Sequence, residues 1–429
     1  MTTKFKHMSE AWGLDGNPFP SEAVHTGQEP YDREVYAQEH AQFFEKLFFG
    51  ALMDRRGFGF LWSKSPKGED TGLGKTTLLR QGAKELNHDF GLSYLRNAGM
   101  KEDRAAANLS LAAYATLNTT SVSGIYPILF AAVEYLADPA NGAEDRSLLD
   151  RLKDRIVQRH KLKAGDGAAL RSALVNARRK LGATLPGLRE DALDAFCAPQ
   201  DGAFAAFVSE VSPTARARNG LQYFDFVFTV ASAAGVPHLF VLVDQLEDLA
   251  TSEYVPKAKR SKEVGRLRDI ILEMPPFVGN VHFVFTFHVR AAAALMEMWA
   301  QNRLPSYDPE DRANGGCVVV LRGIHDVERA RKLLVTYLAA RRDGQVGDAL
   351  APFDEGALPV LLARSGGRPG ILLQLAHRLF DVAAEENRER IDGAFASSIL
   401  GTEGARPAAA RSARAAEGRD ARALEDLLK

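Results

Sequence analysis

The chain has 429 residues, 46% of them hydrophobic and 25% charged, an ordinary globular composition long enough for roughly two to three domains. A net charge of −1 excludes a whole-molecule attraction to nucleic acid or to a membrane surface, so any such contact must come from a local patch. Cys197 and Cys317 lie far apart and outside any metal-spaced cluster. With no apolar leader in Met1 to Ser9 and no run near the ~20 residues a span needs, this predicts free thiols in a cytoplasmic protein with no membrane segment.

Residues 1–30 are polar and turn-rich, and Asn17-Pro18 and Pro20 forbid a continuous helix. Trp12, Leu14 and Phe19 are apolar enough to pin this entry segment to the body. Residues 31–56 predict a helix, with Phe43, Phe44, Leu47, Phe48 and Leu52 at i, i+3/i+4 spacing. Phe58 to Trp62 reads as a buried strand. A polar, glycine-rich loop then ends in Gly72-Leu73-Gly74, and Lys75-Thr76-Thr77 opens an amphipathic helix over about 75–87.

Strand, glycine loop, Gly-Lys-Thr and helix is the order of a phosphate-binding P-loop. Loop N–H groups and the positive end of the helix dipole cradle a polyphosphate. Lys75 would reach the β/γ-phosphates of ATP, and the Thr76 hydroxyl would ligate Mg²⁺. Gly72 and Gly74 allow close backbone approach; Leu73 and Thr77 complete the binding segment. The first glycine of the usual spacing falls on Glu69, with Gly68 one place earlier. The loop is therefore one residue longer, or it turns at Gly68.

Gly91 to Arg96 predicts a short strand. Residues 101–220 are dominated by helix formers, with apolar periodicity in Leu109–Leu117, in Tyr126–Leu136 and beyond. Arg151, Lys153, Arg155, Arg159, Lys161, Lys163, Arg171, Arg178, Arg179 and Lys180 make residues 151–180 densely basic. This is either a solvated helical face with i, i+4 pairs or a surface for DNA or an acidic partner.

His238 to Val243 is an apolar run ending in Asp244, as expected of a strand buried on both faces of a parallel sheet. Asp244 at the carboxyl end of that strand lies where ligands bind in open α/β sheets, and is expected to serve Mg²⁺ through water. Gln245 follows; it can orient a water but cannot accept its proton. Glu247 could act as base if the turn aims it inward. Val281 to Phe287 and Cys317 to Arg322 predict two more strands, and Thr286 and His288 at the end of the former suit a γ-phosphate or water sensor. Arg303 follows a helix and could reach a neighbouring subunit's nucleotide as an arginine finger. From Asp326 onward all signals are helical, over about 326–342, 354–364 and 369–385. An Ala/Arg-rich tail follows at 401–429.

These elements predict an α/β protein. It has a P-loop three-layer αβα core with a largely parallel sheet (31–100 and 221–325), an entry segment (1–30), a helical insertion (101–220) and a C-terminal helical lid (326–400). The order Asn17-Pro18-Phe19, Gly72-Leu-Gly-Lys-Thr-Thr77, Val241-Leu-Val-Asp244, sensor strand and Ser365-Gly-Gly-Arg-Pro369 resembles AAA+ ATPases of the initiator-like branch. The likeness is to secretion-type, transposition-regulator and origin-recognition ATPases. It implies that Asn17 and Phe19 pack near the adenine, that Lys75 and Thr76 hold phosphates and Mg²⁺, and that Asp244 is the Walker B acid. It also implies His288 as a sensor, Arg303 as the finger and Arg368 as a lid arginine on the γ-phosphate.

Gln245 and the Gly-Gly-x-Pro-Gly lid also resemble STAND-type signalling ATPases, which bind ATP as a slow switch. No winged-helix DNA-binding module is expected after the lid. The function expected is an ATPase that self-associates at its nucleotide interface and drives assembly or remodelling of a partner complex, on DNA in one version. It would serve in a mobile-element, DNA-processing or antiviral defence system. The alternative is a nucleotide switch with little hydrolysis; a small-molecule kinase is the weaker third reading.

Overall fold

In a computed structural model, residues 3–22, 30–64, 72–116, 124–142, 145–182, 188–246, 257–286, 289–307, 318–342 and 347–401 are described. Five strands form one parallel sheet in the order β2-β3-β4-β1-β5. They are β1 (Phe58–Lys64), β2 (Ser110–Thr116), β3 (His238–Asp244), β4 (Val281–Thr286) and β5 (Val318–Arg322). Alternate residues along a strand point to opposite faces. Phe58, Phe60 and Trp62 of β1, Leu239, Val241 and Val243 of β3, and Phe283 and Phe285 of β4 pack on one side. There they meet helices Ile125–Ala137, Pro213–Ala233, Lys257–Leu272 and Val289–Gln301. Leu61, Ala112, Tyr114, Phe240, Leu242 and Val284 face the other side, against helix Lys75–Asp89 and the helical stretch 37–54. Both faces are covered, which is why these strands read as nearly continuous apolar runs.

The stretch 37–54 changes hydrogen-bonding pattern midway, with a π-helical segment at Phe43–Phe49. Its Phe43 ring lies so close to the P-loop helix that a Cβ on Gly82 would sit 2.5 Å from Phe43 Cε1. Glycine in mid-helix costs about 1 kcal/mol against alanine. Here the close approach of the ring requires it.

Three expectations are corrected. Within Leu109–Leu117, Ser110 to Thr116 is not helical: it pairs residue for residue with β3, from Ser110↔His238 to Thr116↔Asp244. Its alanines favour helix intrinsically, but burial on a paired edge overrides that weak preference. The stretch 101–220 is therefore not all insertion, since β2 and helix Ile125–Ala137 belong to the sheet and the layer covering it. Gly91–Arg96 is not a strand but leads into a helix, Leu92–Asn97, entered through Gly91 at φ 76° with Asp89 Oδ2 accepting from the Ser93 N–H at 2.7 Å.

Contact density divides the chain into two units. The larger comprises Gln38–Asp70 and Lys75–Leu321 and contains the sheet. The smaller comprises Met1–Ala37, Thr71–Gly74 and Arg322–Lys429. Its core is built from helices Val327–Ala339, Ala357–Ser365, Pro369–Glu385 and Gly393–Gly401, together with Trp12, Leu14 and Phe19. The N-terminal segment thus belongs to the helical unit. It opens with a helix, Thr3–Trp12, that its polar composition does not advertise. Helix Gly393–Gly401 likewise goes unpredicted. Gly68, Glu69, Glu247, His288, Cys317 and the tail after Gly401 lie outside the described residues.

Candidate nucleotide site

The parity that sorts apolar residues onto the two faces also sorts the polar residues at the carboxyl ends of the strands. Ser63 is two residues beyond Leu61, Thr286 two beyond Val284, and Asp244 two beyond Leu242. All three therefore fall on the face covered by the P-loop helix. Tyr114 lies on the same face of β2. All four are buried.

Asp244 is the centre of this group. Its Oδ2 accepts from the Thr76 hydroxyl at 2.5 Å and from the Tyr114 hydroxyl at 3.1 Å. Its Oδ1 accepts from the Thr286 hydroxyl at 2.5 Å. Lys75, only 9% exposed, donates from Nζ to Ser63 Oγ at 2.8 Å. Burial, and next the Asp244 charge, push the Tyr114 phenol well above its usual range, so it remains a donor. A carboxylate, a threonine hydroxyl and a lysine at a helix N-terminus form a hard-oxygen set beside a cation. That chemistry fits a magnesium-bound polyphosphate: Thr76 and Asp244 could hold the metal and Lys75 the phosphates.

Gln245 follows Asp244 in the left-handed conformation, φ 61°, with its side chain exposed. Its N–H donates to Thr286 Oγ1 at 3.1 Å, and the Leu246 N–H reaches the Thr286 carbonyl at 3.3 Å. Thr286 thus pins both the acid and the turn after it. Arg303, at the end of helix Val289–Gln301, is exposed and also left-handed, φ 55°.

Within the smaller unit, Gly72 and Gly74 adopt φ 79° and φ 89°, a region that favours glycine. The Gly72 carbonyl accepts from the Gly370 N–H at 2.8 Å, at the start of helix Pro369–Glu385. Leu73 is buried. Arg368 is the residue capping that helix; it is half-buried and its Nε donates to the Ser365 carbonyl at 3.1 Å. Asn17 and Phe19 fasten the N-terminal segment. The Asn17 amide donates to the His377 carbonyl at 3.0 Å and to Asp381 Oδ1 at 2.8 Å. Phe19 packs among Tyr337, Phe353 and Phe380. A role for these two residues beside an adenine would be additional to that anchorage.

Half of the basic residues in 151–180 are engaged within the fold. Arg151 donates to the carbonyls of Asn87 and His88, both at 2.8 Å, at the end of the P-loop helix. Arg155 Nε donates to the Ala234 carbonyl at 2.9 Å, where helix Pro213–Ala233 ends. Cations there complement the negative helix terminus. Lys153 donates to the Ala198 carbonyl, Arg171 pairs with Glu190 and Asp194, and Arg178 pairs with the buried Asp225 at 3.0 Å. Arg159, Lys161, Lys163, Arg179 and Lys180 remain exposed.

Tyr114 and Ser63 are the members of the site that sequence reasoning missed. Ser63 carried a legible signal, two residues past a buried strand residue and just before the glycine loop. Tyr114 did not, because its segment reads as helix.

No protein-family model and no curated protein matches the chain. Among solved structures it is similar to the Aeropyrum pernix ORC2 protein in its ADPNP–ADP complexes, at 14% identity and TM-score 0.41, over 90% of this chain and 70% of that one. It is similar to the A. pernix ORC1 protein in complex with DNA, at 13% identity and TM-score 0.36, over 86% of this chain and 64% of that one. A third similar structure is the Walker-type ATPase of Pyrococcus abyssi, at 11% identity and TM-score 0.35, over 93% of this chain and 76% of that one. No helix among the described residues is long and apolar enough to cross a membrane. By its own five-stranded parallel sheet, covered by helices on both faces, the chain has an α/β fold in which the Lys75–Thr76 helix start meets Asp244.

Proposed function

We propose that the chain binds ATP with Mg²⁺ and is an ATPase of the AAA+ type. The observation that carries this is the meeting of Thr76 with Asp244, with Lys75 buried alongside at the helix N-terminus. Gly72, Leu73, Gly74 and Thr77 supply the rest of the phosphate cradle, and the bound metal would supply charge neutralisation at the phosphates. Thr76 and Asp244 would hold it. Glu247 is the proposed base and His288 a proposed sensor. Arg368 is the proposed lid arginine, and Arg303 the finger offered to a second copy of the chain.

Binding and turnover would drive self-association and remodelling of a protein complex. DNA would then be contacted through the exposed Lys161, Lys163, Arg179 and Lys180 rather than through the engaged cations of the same stretch. A specific observation favours a second reading, a slow nucleotide switch. Gln245, whose side chain cannot take a proton, stands beside Asp244 in a turn held by Thr286.

The test is a binding titration with ATP, followed by a turnover assay of the wild type, Glu247→Gln and Arg303→Ala. Turnover lost in both variants with binding retained supports the motor. Binding without turnover in the wild type supports the switch. No ATP binding by the wild type would refute both. Size-exclusion with and without ATP and duplex DNA tests assembly and the DNA partner.

A further inference from the structure

Asp244 accepts three hydroxyl donors, and one of them has a second task in the site proposed above. Thr76 would offer a lone pair of its hydroxyl to a bound metal, while its proton can stay on Oδ2 of Asp244. Thr286 holds the other oxygen, Oδ1, at 2.5 Å. Tyr114 is the second donor to Oδ2, at 3.1 Å. It comes from the edge strand β2, on the side of β3 away from β4. Asp244 is therefore gripped from both neighbouring strands, one oxygen each.

The Tyr114 side chain is itself held. The Arg80 guanidinium lies over its ring, 4.8 Å from the centroid. A carboxylate only accepts, so the phenol under Arg80 turns its proton toward Asp244. Arg80 stands one helical turn beyond Thr76 on the same helix. The P-loop helix thus touches Asp244 twice, directly through Thr76 and through Arg80 and Tyr114. The second contact involves no group that would itself touch the metal.

We propose that Tyr114, oriented by Arg80, is a positioning residue that fixes the metal-facing carboxylate of Asp244 when Mg²⁺–nucleotide occupies the site. The inference rests on the nucleotide-site reading above. Tyr114 does not touch phosphate. Its effect is confined to the part of the affinity that depends on the metal.

The experiment measures the affinity of the full chain for a fluorescent ATP analogue, in saturating Mg²⁺ and in EDTA. Wild type, Tyr114→Phe and Tyr135→Phe are compared. Phenylalanine keeps the ring under Arg80 and removes only the hydroxyl. A hydrogen bond to a charged group is worth about a tenfold change or more. Tyr114→Phe should therefore bind about tenfold more weakly in Mg²⁺ and within about twofold of wild type in EDTA. Tyr135, whose ring centroid is 6.3 Å from that of Tyr114, controls for packing and should leave both affinities unchanged. An undiminished Mg²⁺ enhancement in Tyr114→Phe would overturn the proposal while leaving the nucleotide site standing. So would an equal loss in Tyr135→Phe. A wild type that binds no nucleotide in either condition removes the site itself, and the positioning role with it.

Discussion

Strands β3 and β4 run side by side and carry a buried polar pair at each end. At the amino end, His238 Nδ1 and His282 Nε2 are 3.2 Å apart, and His282 Nδ1 lies 2.6 Å from the Arg56 carbonyl. A carbonyl only accepts, so His282 carries its proton on Nδ1 and offers Nε2 as acceptor to the His238 Nδ1–H. The pair is neutral and closed. Burial holds both rings well below the usual imidazole range, His238 at about 3 and His282 at about 4. At the carboxyl end, Asp244 and Thr286 form the other pair, joined by the Tyr114 and Thr76 hydroxyls, and the Thr76 oxygen keeps lone pairs that a ligand can use. Two strands with the same apolar interior thus end in groups with opposite properties. One end closes on itself, whereas the other keeps hydroxyl and carboxylate lone pairs for a ligand. Buried polarity alone does not mark a site; capacity left for a ligand does.

The sharpest way to break this contrast is Lys75→Ala. It should weaken ATP binding by at least ~100-fold, as expected when a buried charge partner of phosphate is lost, on the order of 3 kcal/mol. Thermal melting should change little, and binding and melting measured on the same sample check both halves.

The second test is acidification, which attacks the other end. A histidine ordinarily near 6.5 that is held neutral in the fold takes up its proton more readily when unfolded. Stability should therefore be intact above pH 6.5 and fall as pH drops toward about 4, by on the order of 3 kcal/mol per histidine. Denaturant melts across that window measure it, and His238→Leu should reduce the slope.

Thr286→Val is smaller. It removes one donor to Asp244 and the acceptor for the Gln245 N–H, so Mg²⁺-dependent nucleotide affinity should fall by about tenfold. Equal affinities for variant and wild type would mean that Thr286 serves only the turn. The smallest effect is Gln245→Gly. It relieves a left-handed backbone at an exposed position and should raise stability by roughly 0.5–1 kcal/mol in a thermal melt, with no loss of ATP binding.

Much of the site was legible because its chemistry is local. The Gly-Lys-Thr step into a helix is a continuous stretch, and Asp244 stands at the end of an apolar run whose length and composition announce a buried strand. Thr286 was readable for the same reason. Tyr114 was not, because Ser110-Leu-Ala-Ala-Tyr-Ala-Thr116 has alanines where a strand more often has β-branched residues, and only pairing with β3 makes it one. The basic residues of 151–180 suggested a surface in part because a sequence does not display which helix ends need cations. Arg151 and Arg155 face carbonyls contributed by distant segments.

The amino-acid sequence by itself determined that a strand, a glycine loop and a helix follow one another with Lys75 and Thr76 at the junction. It also determined that buried strands end in Asp244 and Thr286, since periodicity and local steric preference act over a few residues. Tertiary structure alone decided that β2 lies beside β3 and so brings Tyr114 to the acid. It also decided that Ser63 receives the lysine and that Asn17 and Phe19 lock the N-terminus to a helical unit. Those contacts join residues far apart in the chain, and only long-range pairing and packing select them.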